Sequence, residues 1–146
     1  MSEINFKKII ENLIPVFDKA GQESIDLYKR GLKIEMKDDN SPVSNGDMEV
    51  NKLITDKLVE LTPDIPIISE ETVKVNDKNK NSVFWLIDPI DGTKEYISGK
   101  DEYTLNAALV VNKKPLIGLV GAPKKGQLFY SYGPGKSFLI ENKKTK

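Results

Sequence analysis

Trp85-Leu86-Ile87-Asp88-Pro89-Ile90-Asp91-Gly92-Thr93-Lys94-Glu95-Tyr96 is the stretch on which the reading of this chain turns. An apolar run leads into an aspartate, a proline, a second aspartate, then a glycine and a hydroxyl. Local sequence predicts a central strand over Val83–Ile87 that delivers two carboxylates to a turn opening a short helix. Pro89 fixes its own φ and disfavours helix at Asp88, which stiffens the turn. Two carboxylates held close repel each other unless a cation or a proton lies between them, and a divalent ion meets that need. Gly92 lets the backbone approach a ligand. The amides of Gly92 and Thr93, at a helix start, suit a phosphate oxygen, and the Thr93 hydroxyl can orient a water. Asp-Pro and Asp-Gly are also ordinary turn dipeptides, so at this level a plain strand-to-helix turn stays open.

Composition narrows the chemistry. The chain has no cysteine and no histidine, which removes disulfides, thiolate nucleophiles, Cys/His zinc sites and histidine bases together. Catalysis here falls to carboxylates, hydroxyls, lysines and a bound metal. Oxygen-only ligands point to a hard cation such as Mg²⁺. Lys+Arg and Asp+Glu both number 22, so no global basic field exists to hold a nucleic acid polymer. At 146 residues the expectation is one domain, 1–146. No apolar run nears the roughly 20 residues that span a bilayer, and Met1–Ile10 lacks a signal-peptide core. The expected address is the cytoplasm, with peripheral membrane association left open.

Outward from the central stretch, Ile4, Phe6, Ile9, Ile10, Leu13, Ile14, Phe17, Ile25, Leu27 and Tyr28 recur at helical spacing. Ser2 and Glu3 are expected at the helix start, Pro15 as a kink, Gly21 as a weak point and Gly31 as the end. Leu32–Lys37 alternates like a half-buried strand, and Lys37–Gly46 reads as a polar loop. A second helix is expected over Met48–Leu61, with Val50, Leu53, Ile54, Leu58 and Leu61 inward. Asp47 stands at its start, where local sequence favours a helix N-cap over a catalytic aspartate. Ile67-Ile68 is a short buried strand ending at Ser69-Glu70-Glu71. Strands at 104–111, 116–120, 128–132 and 137–140, joined by short turns, complete the chain. The implied fold class is α+β, with two N-terminal helices packed on a mainly antiparallel sheet. Gly135-Lys136-Ser137 imitates the end of a phosphate-binding loop, but the earlier glycine is replaced by Tyr130 and strand follows, so it reads as a turn.

Three separated pieces in order, Ser41-Pro42-Val43 through Asp47, Ser69-Glu70-Glu71, and Trp85 through Thr93, resemble the inositol monophosphatase superfamily of Mg²⁺-dependent phosphatases. Lys94-Glu95-Tyr96 and Glu102 through Leu109 are similar to its 3'(2'),5'-bisphosphate nucleotidases of the CysQ type, where inositol phosphatases usually carry Thr-Asn-Phe. The resemblance implies removal of the 3'-phosphate from adenosine 3',5'-bisphosphate by a water activated between two metals. It makes Glu70, Asp88, the Ile90 carbonyl and Asp91 metal ligands, and Asp47 and Thr93 the groups that orient or activate the water. Glu70, Asp91, Gly92 and Thr93 also become substrate contacts. An inositol- or sugar-phosphate phosphatase is the alternative within the superfamily, and a homo-oligomer is left open.

Members of that superfamily are about twice as long, and their second half supplies another metal-ligating aspartate and much of the substrate pocket. The expectation is therefore a sugar-phosphatase-like N-terminal domain with the second domain missing. Such a chain alone is expected to show weak or absent phosphatase activity. The competing reading is a non-catalytic metal- or phosphate-binding module.

Overall fold

Helix α1 (Phe6–Arg30) starts where Asn5 accepts a side-chain hydrogen bond from the Lys8 amide and stops at Gly31, whose φ of 96° suits glycine. The computed structural model describes residues 5–69, 82–141 and 144–145. Ser2 and Glu3, expected at the helix start, lie outside them. Ile10, Leu13, Phe17, Ala20 and Ser24 form the buried stripe of α1 at three- and four-residue spacing. Pro15 neither ends nor divides the helix; it lies on the exposed side. Tyr28, read as core, is 38% exposed at the end of the stripe.

The alternation at Leu32–Lys37 yields only a short strand, β1 (Ile34–Met36), and all three residues are exposed. The half-buried expectation fails because β1 pairs with β2 (Pro42–Ser44) in a separate two-stranded antiparallel ribbon and does not join the main sheet. β2 itself falls inside the predicted loop. Ser44 then caps α2 (Asn45–Leu61), which begins three residues earlier than expected and buries Val50, Ile54 and Leu58.

The main sheet has seven strands in the order β3 (Ile67–Ser69), β4 (Val83–Asp91), β5 (Thr104–Val111), β6 (Lys114–Ala122), β7 (Gln127–Ser131), β8 (Ser137–Glu141) and β9 (Lys144–Thr145). Neighbours are antiparallel except β3 and β4, which run parallel. β5 and β6 join through Asn112-Lys113, both at positive φ (50° and 68°), which matches the right-handed twist of a two-residue hairpin. Gly135 has φ 73° and leads into β8, so Gly135-Lys136-Ser137 is the turn the sequence suggests.

Alternation along the strands sorts the two faces. Trp85 and Ile87, Leu105, Ala107 and Leu109, Ile117 and Leu119, and Leu128 are buried in one core with Leu13, Phe17, Val50, Ile54 and Leu58 of the helices. Each fully buried aliphatic or aromatic side chain there contributes about 1.5–3 kcal/mol. On the opposite face Leu86 (49% exposed), Val120 (38%) and Phe129 (43%) are open. The α+β architecture of helices on a mainly antiparallel sheet is the one the sequence implies.

Candidate active site

The site residues gather where β4 ends and α2 begins. β4 remains extended through Asp91, so the expected turn at Asp88 is a strand with an irregularity. Asp88 lies opposite Asn106 and Asp91 opposite Thr104, a step of three residues on β4 against two on β5. In a regular strand, residues three apart point to opposite faces. The extra residue of this bulge puts Asp91 back on the face of Asp88. Asn106 and Thr104 share that face, since the Asn106 amide donates to Thr104 Oγ1 at 3.0 Å. Asp88 is half-buried with Oδ1 inside, and it lines a hollow on the open face with Leu86, Asn106, Val120 and Phe129. Asp91 is exposed at the strand end.

Gly92 follows with φ 92° and ψ 45° and caps α3 (Thr93–Ile97). A Cβ at Gly92 would lie 3.0 Å from the Glu102 carbonyl and 3.2 Å from Glu95 Oε1. Both the left-handed backbone and the close carbonyl demand glycine. Gly92→Ala is expected to lower stability by about 1–2 kcal/mol, read as a lower urea midpoint at unchanged slope.

Thr93 is the hinge of the arrangement. Its hydroxyl donates to Asp47 Oδ1 at 2.8 Å and also lies 3.3 Å from the Ile90 carbonyl. Asp47 is fully buried at the third position of α2. Its Oδ2 accepts from the Ser44 amide at 2.9 Å and from Ser44 Oγ at 2.5 Å, and its own amide donates to Ser44 Oγ at 3.2 Å. The N-cap is therefore Ser44, and Asp47 is its reciprocal partner in a capping box. One carboxylate oxygen serves the helix and the other faces Thr93.

One turn further along α2, Asn51 Oδ1 accepts from Ser69 Oγ at 2.6 Å, at the end of β3. Ser69 pairs with Ile87, the residue before Asp88. The ends of β3 and β4 thus meet the first turns of α2. Glu70 and Glu71 lie outside the described residues. Asp47, Ile90 and Thr93 are brought into direct contact, while Asp88 and Asp91 share a face along β4.

Sequence reasoning missed Ser44, Asn51 and the buried Tyr96. The spacing Ser44-x-x-Asp47 carries a capping-box signal that could have located the first. Asn51 and Tyr96 act through contacts 18 and 72 residues apart in sequence, with Ser69 and Ser24. No local pattern marks such pairs.

The donor set along this strand end, the carboxylates of Asp88 and Asp91 with the Ile90 carbonyl, is all oxygen and fits a hard divalent cation. Among the described residues no three acidic side chains form a metal-holding group by themselves.

The fold is that of the inositol monophosphatase class. The chain superposes on staphylococcal inositol monophosphatase-1, in its LiCl-soaked inhibitory complex, with TM-score 0.84 at 19% identity, covering 94% of this chain and 52% of that one. It also matches an IMPase/NADP phosphatase complexed with Mg²⁺ and phosphate (TM-score 0.77, 21% identity, 92% of this chain and 51% of that one). The sequence matches the inositol monophosphatase family over residues 6–145, and the chain belongs to that family. The 3'(2'),5'-bisphosphate nucleotidase CysQ of Aggregatibacter actinomycetemcomitans is 34% identical over 125 residues, 84% of this chain and 46% of that protein. The chain spans about half the length of the curated relatives it matches.

Proposed function

We propose that the chain carries the water-activating half of a Mg²⁺-dependent phosphomonoesterase that removes the 3'-phosphate of adenosine 3',5'-bisphosphate, giving AMP. One observation carries the reading: the Thr93 hydroxyl is held between Asp47 Oδ1 and the Ile90 carbonyl, beside two carboxylates turned to one face by a bulge. Donation to Asp47 fixes the Thr93 proton and leaves the oxygen lone pairs to accept from a water. Asp47 stays in register because Ser44 holds its other oxygen. Asp88, Asp91, the Ile90 carbonyl and Glu70 would hold Mg²⁺. When bound, the metal supplies Lewis-acid polarisation of the phosphate and of its water. The amides of Gly92 and Thr93 favour a phosphate oxygen as fixed dipoles. α3 is only five residues long, so a helix dipole adds little. In the overall step the water oxygen bonds to phosphorus, the bond from phosphorus to the 3'-oxygen breaks, and that oxygen leaves protonated.

The substrate assignment is supported by Lys94-Glu95-Tyr96 and by relatives, 30–35% identical, whose names give bisphosphate nucleotidase. We read residues 1–146 as one domain of a cytoplasmic protein. No helix among the described residues is long and apolar enough to cross a membrane. A second reading, an inositol- or sugar-phosphate phosphatase, is favoured by the fold match to the staphylococcal enzyme. The product of the complete gene, assayed for phosphate release with Mg²⁺, separates the two. The nucleotide is expected to exceed inositol 1-phosphate in kcat/KM by about tenfold or more, equivalent to about 1.4 kcal/mol of transition-state preference. The reverse preference would establish the second reading.

A further inference from the structure

Beneath the Asp47–Thr93 pair lies a buried junction of three helices that the chemistry above does not use. Tyr96, on α3 three residues after Thr93, is 1% exposed. Its hydroxyl donates to the Ser24 carbonyl of α1 at 2.6 Å. Ser24 Oγ bonds the Gly21 carbonyl at 2.6 Å and meets Tyr103 Oη at 2.9 Å. The Tyr96 and Tyr103 rings lie 4.7 Å apart, tilted by 59°. The same phenol fills the space beside Gly46, the residue before Asp47. A Cβ built on Gly46 would overlap Tyr96 Oη and lie 2.7 Å from Cε2 and 2.8 Å from Cζ. The phenol cannot simply swing aside, because its oxygen is bonded to α1. Burial first, then Tyr103 and the Asp47 carboxylate, raise the Tyr96 pKa well above the usual phenol range, so the hydroxyl stays a neutral donor.

We propose that Tyr96 is a positioning residue: tethered to α1 and interlocked with Gly46, it sets α3 against the first turn of α2 so that Thr93 meets Asp47. The inference rests on the functional reading above for its consequence, and on the junction geometry for its substance. Missing volume at Gly46 and added volume at residue 96 are one device. A methyl at position 46 forces the phenol off its carbonyl, and α3 moves with it. Removing the hydroxyl releases the ring from α1 but leaves Cε2 and Cζ within 2.8 Å of that methyl, so the two changes act on one and the same contact.

Two amides report the geometry in the 146-residue chain itself. The Asp47 amide is bonded to Ser44 Oγ and the Tyr96 amide to the Gly92 carbonyl. Gly46→Ala is expected to speed hydrogen exchange at both by about tenfold or more, with β5 amides unchanged. Its crystal structure is expected to show the Thr93–Asp47 hydrogen bond broken. Adding Tyr96→Phe to Gly46→Ala is expected to speed both amides by less than about twofold beyond Gly46→Ala alone, because the methyl has already broken the tether. Acceleration confined to the Asp47 amide, or fully additive acceleration in the double variant, would overturn the proposal. Should Gly46→Ala fail to fold, Tyr96→Phe alone decides: it is expected to speed exchange at the Tyr96 amide several-fold, and an unchanged rate there overturns the tether. Hydrolysis by the complete gene product is a separate arm. There Gly46→Ala is expected to lower kcat more than it raises KM, with little further loss on adding Tyr96→Phe. Coupled amides without any phosphate release in wild type would leave the interlock standing and remove the phosphatase reading.

Discussion

Asp47→Asn is expected to lower phosphate release by about 10²–10⁴-fold, the range for loss of a positioned acid–base group, while the fold persists. Ser44 donates from both its amide and its hydroxyl to one oxygen of residue 47. An asparagine therefore keeps its carbonyl oxygen on that side and turns its NH₂ toward Thr93. The Thr93 hydroxyl, which now donates to Oδ1 at 2.8 Å, becomes an acceptor and sends its proton to the Ile90 carbonyl, 3.3 Å away. One of the two Thr93 lone pairs is then occupied, the hydroxyl is turned, and the negative charge beside it is lost. The helix cap survives, so the thermal midpoint is expected to move by only a few degrees. Steady-state kinetics and a thermal melt on the same preparation check both halves. Equal activity in wild type and variant would show that Asp47 is only a cap.

Trp85→Ala is expected to have the largest effect on stability. Trp85 is fully buried on β4, between β3 and β5, and its indole N–H donates to Thr62 Oγ1 at 2.9 Å. Thr62 in turn donates to the Leu58 carbonyl at 2.9 Å, at the end of α2. The indole thus fills the core between β4 and α2 and also satisfies a hydroxyl at the helix end. Large-to-small replacement of a buried tryptophan costs about 3–5 kcal/mol, a large share of the 5–15 kcal/mol typical of a whole domain. Urea unfolding is expected to show the midpoint shifted by that amount, with Trp85→Phe losing clearly less. A shift under about 1 kcal/mol would contradict the packing described, since surface replacements fall in that range.

Local pattern made much of this fold legible. The helical stripe of α1, its glycine stop, the inward face of α2 and the antiparallel run of β5 to β8 all follow from spacing and turn residues. Features set by partners distant in sequence were not legible. β1 and β2 form a ribbon of their own, and three exposed residues with strand-like alternation give no sign of that. The parallel pairing of β3 with β4 depends on where the chain returns after α2. At the site, the residue types were readable and their geometry was not. Asp88 and Asp91 were expected to meet across a turn, but a strand bulge puts them on one face. Asp47 was read locally as a cap and by resemblance as a water-activating group. The geometry has it partnering the cap Ser44 through one oxygen and Thr93 through the other.

On the proposed reading, the face shared by Asp88 and Asp91 holds a divalent cation needed for phosphate-ester hydrolysis. Its most direct test is phosphate release from adenosine 3',5'-bisphosphate by the complete gene product as Mg²⁺ is titrated, with wild type and Asp88→Asn compared. Saturable dependence on Mg²⁺, abolition by chelator, and a loss of about 10²–10³-fold or more in the variant are expected. Hydrolysis that proceeds undiminished in chelator, or equally well with Asp88→Asn, would contradict it.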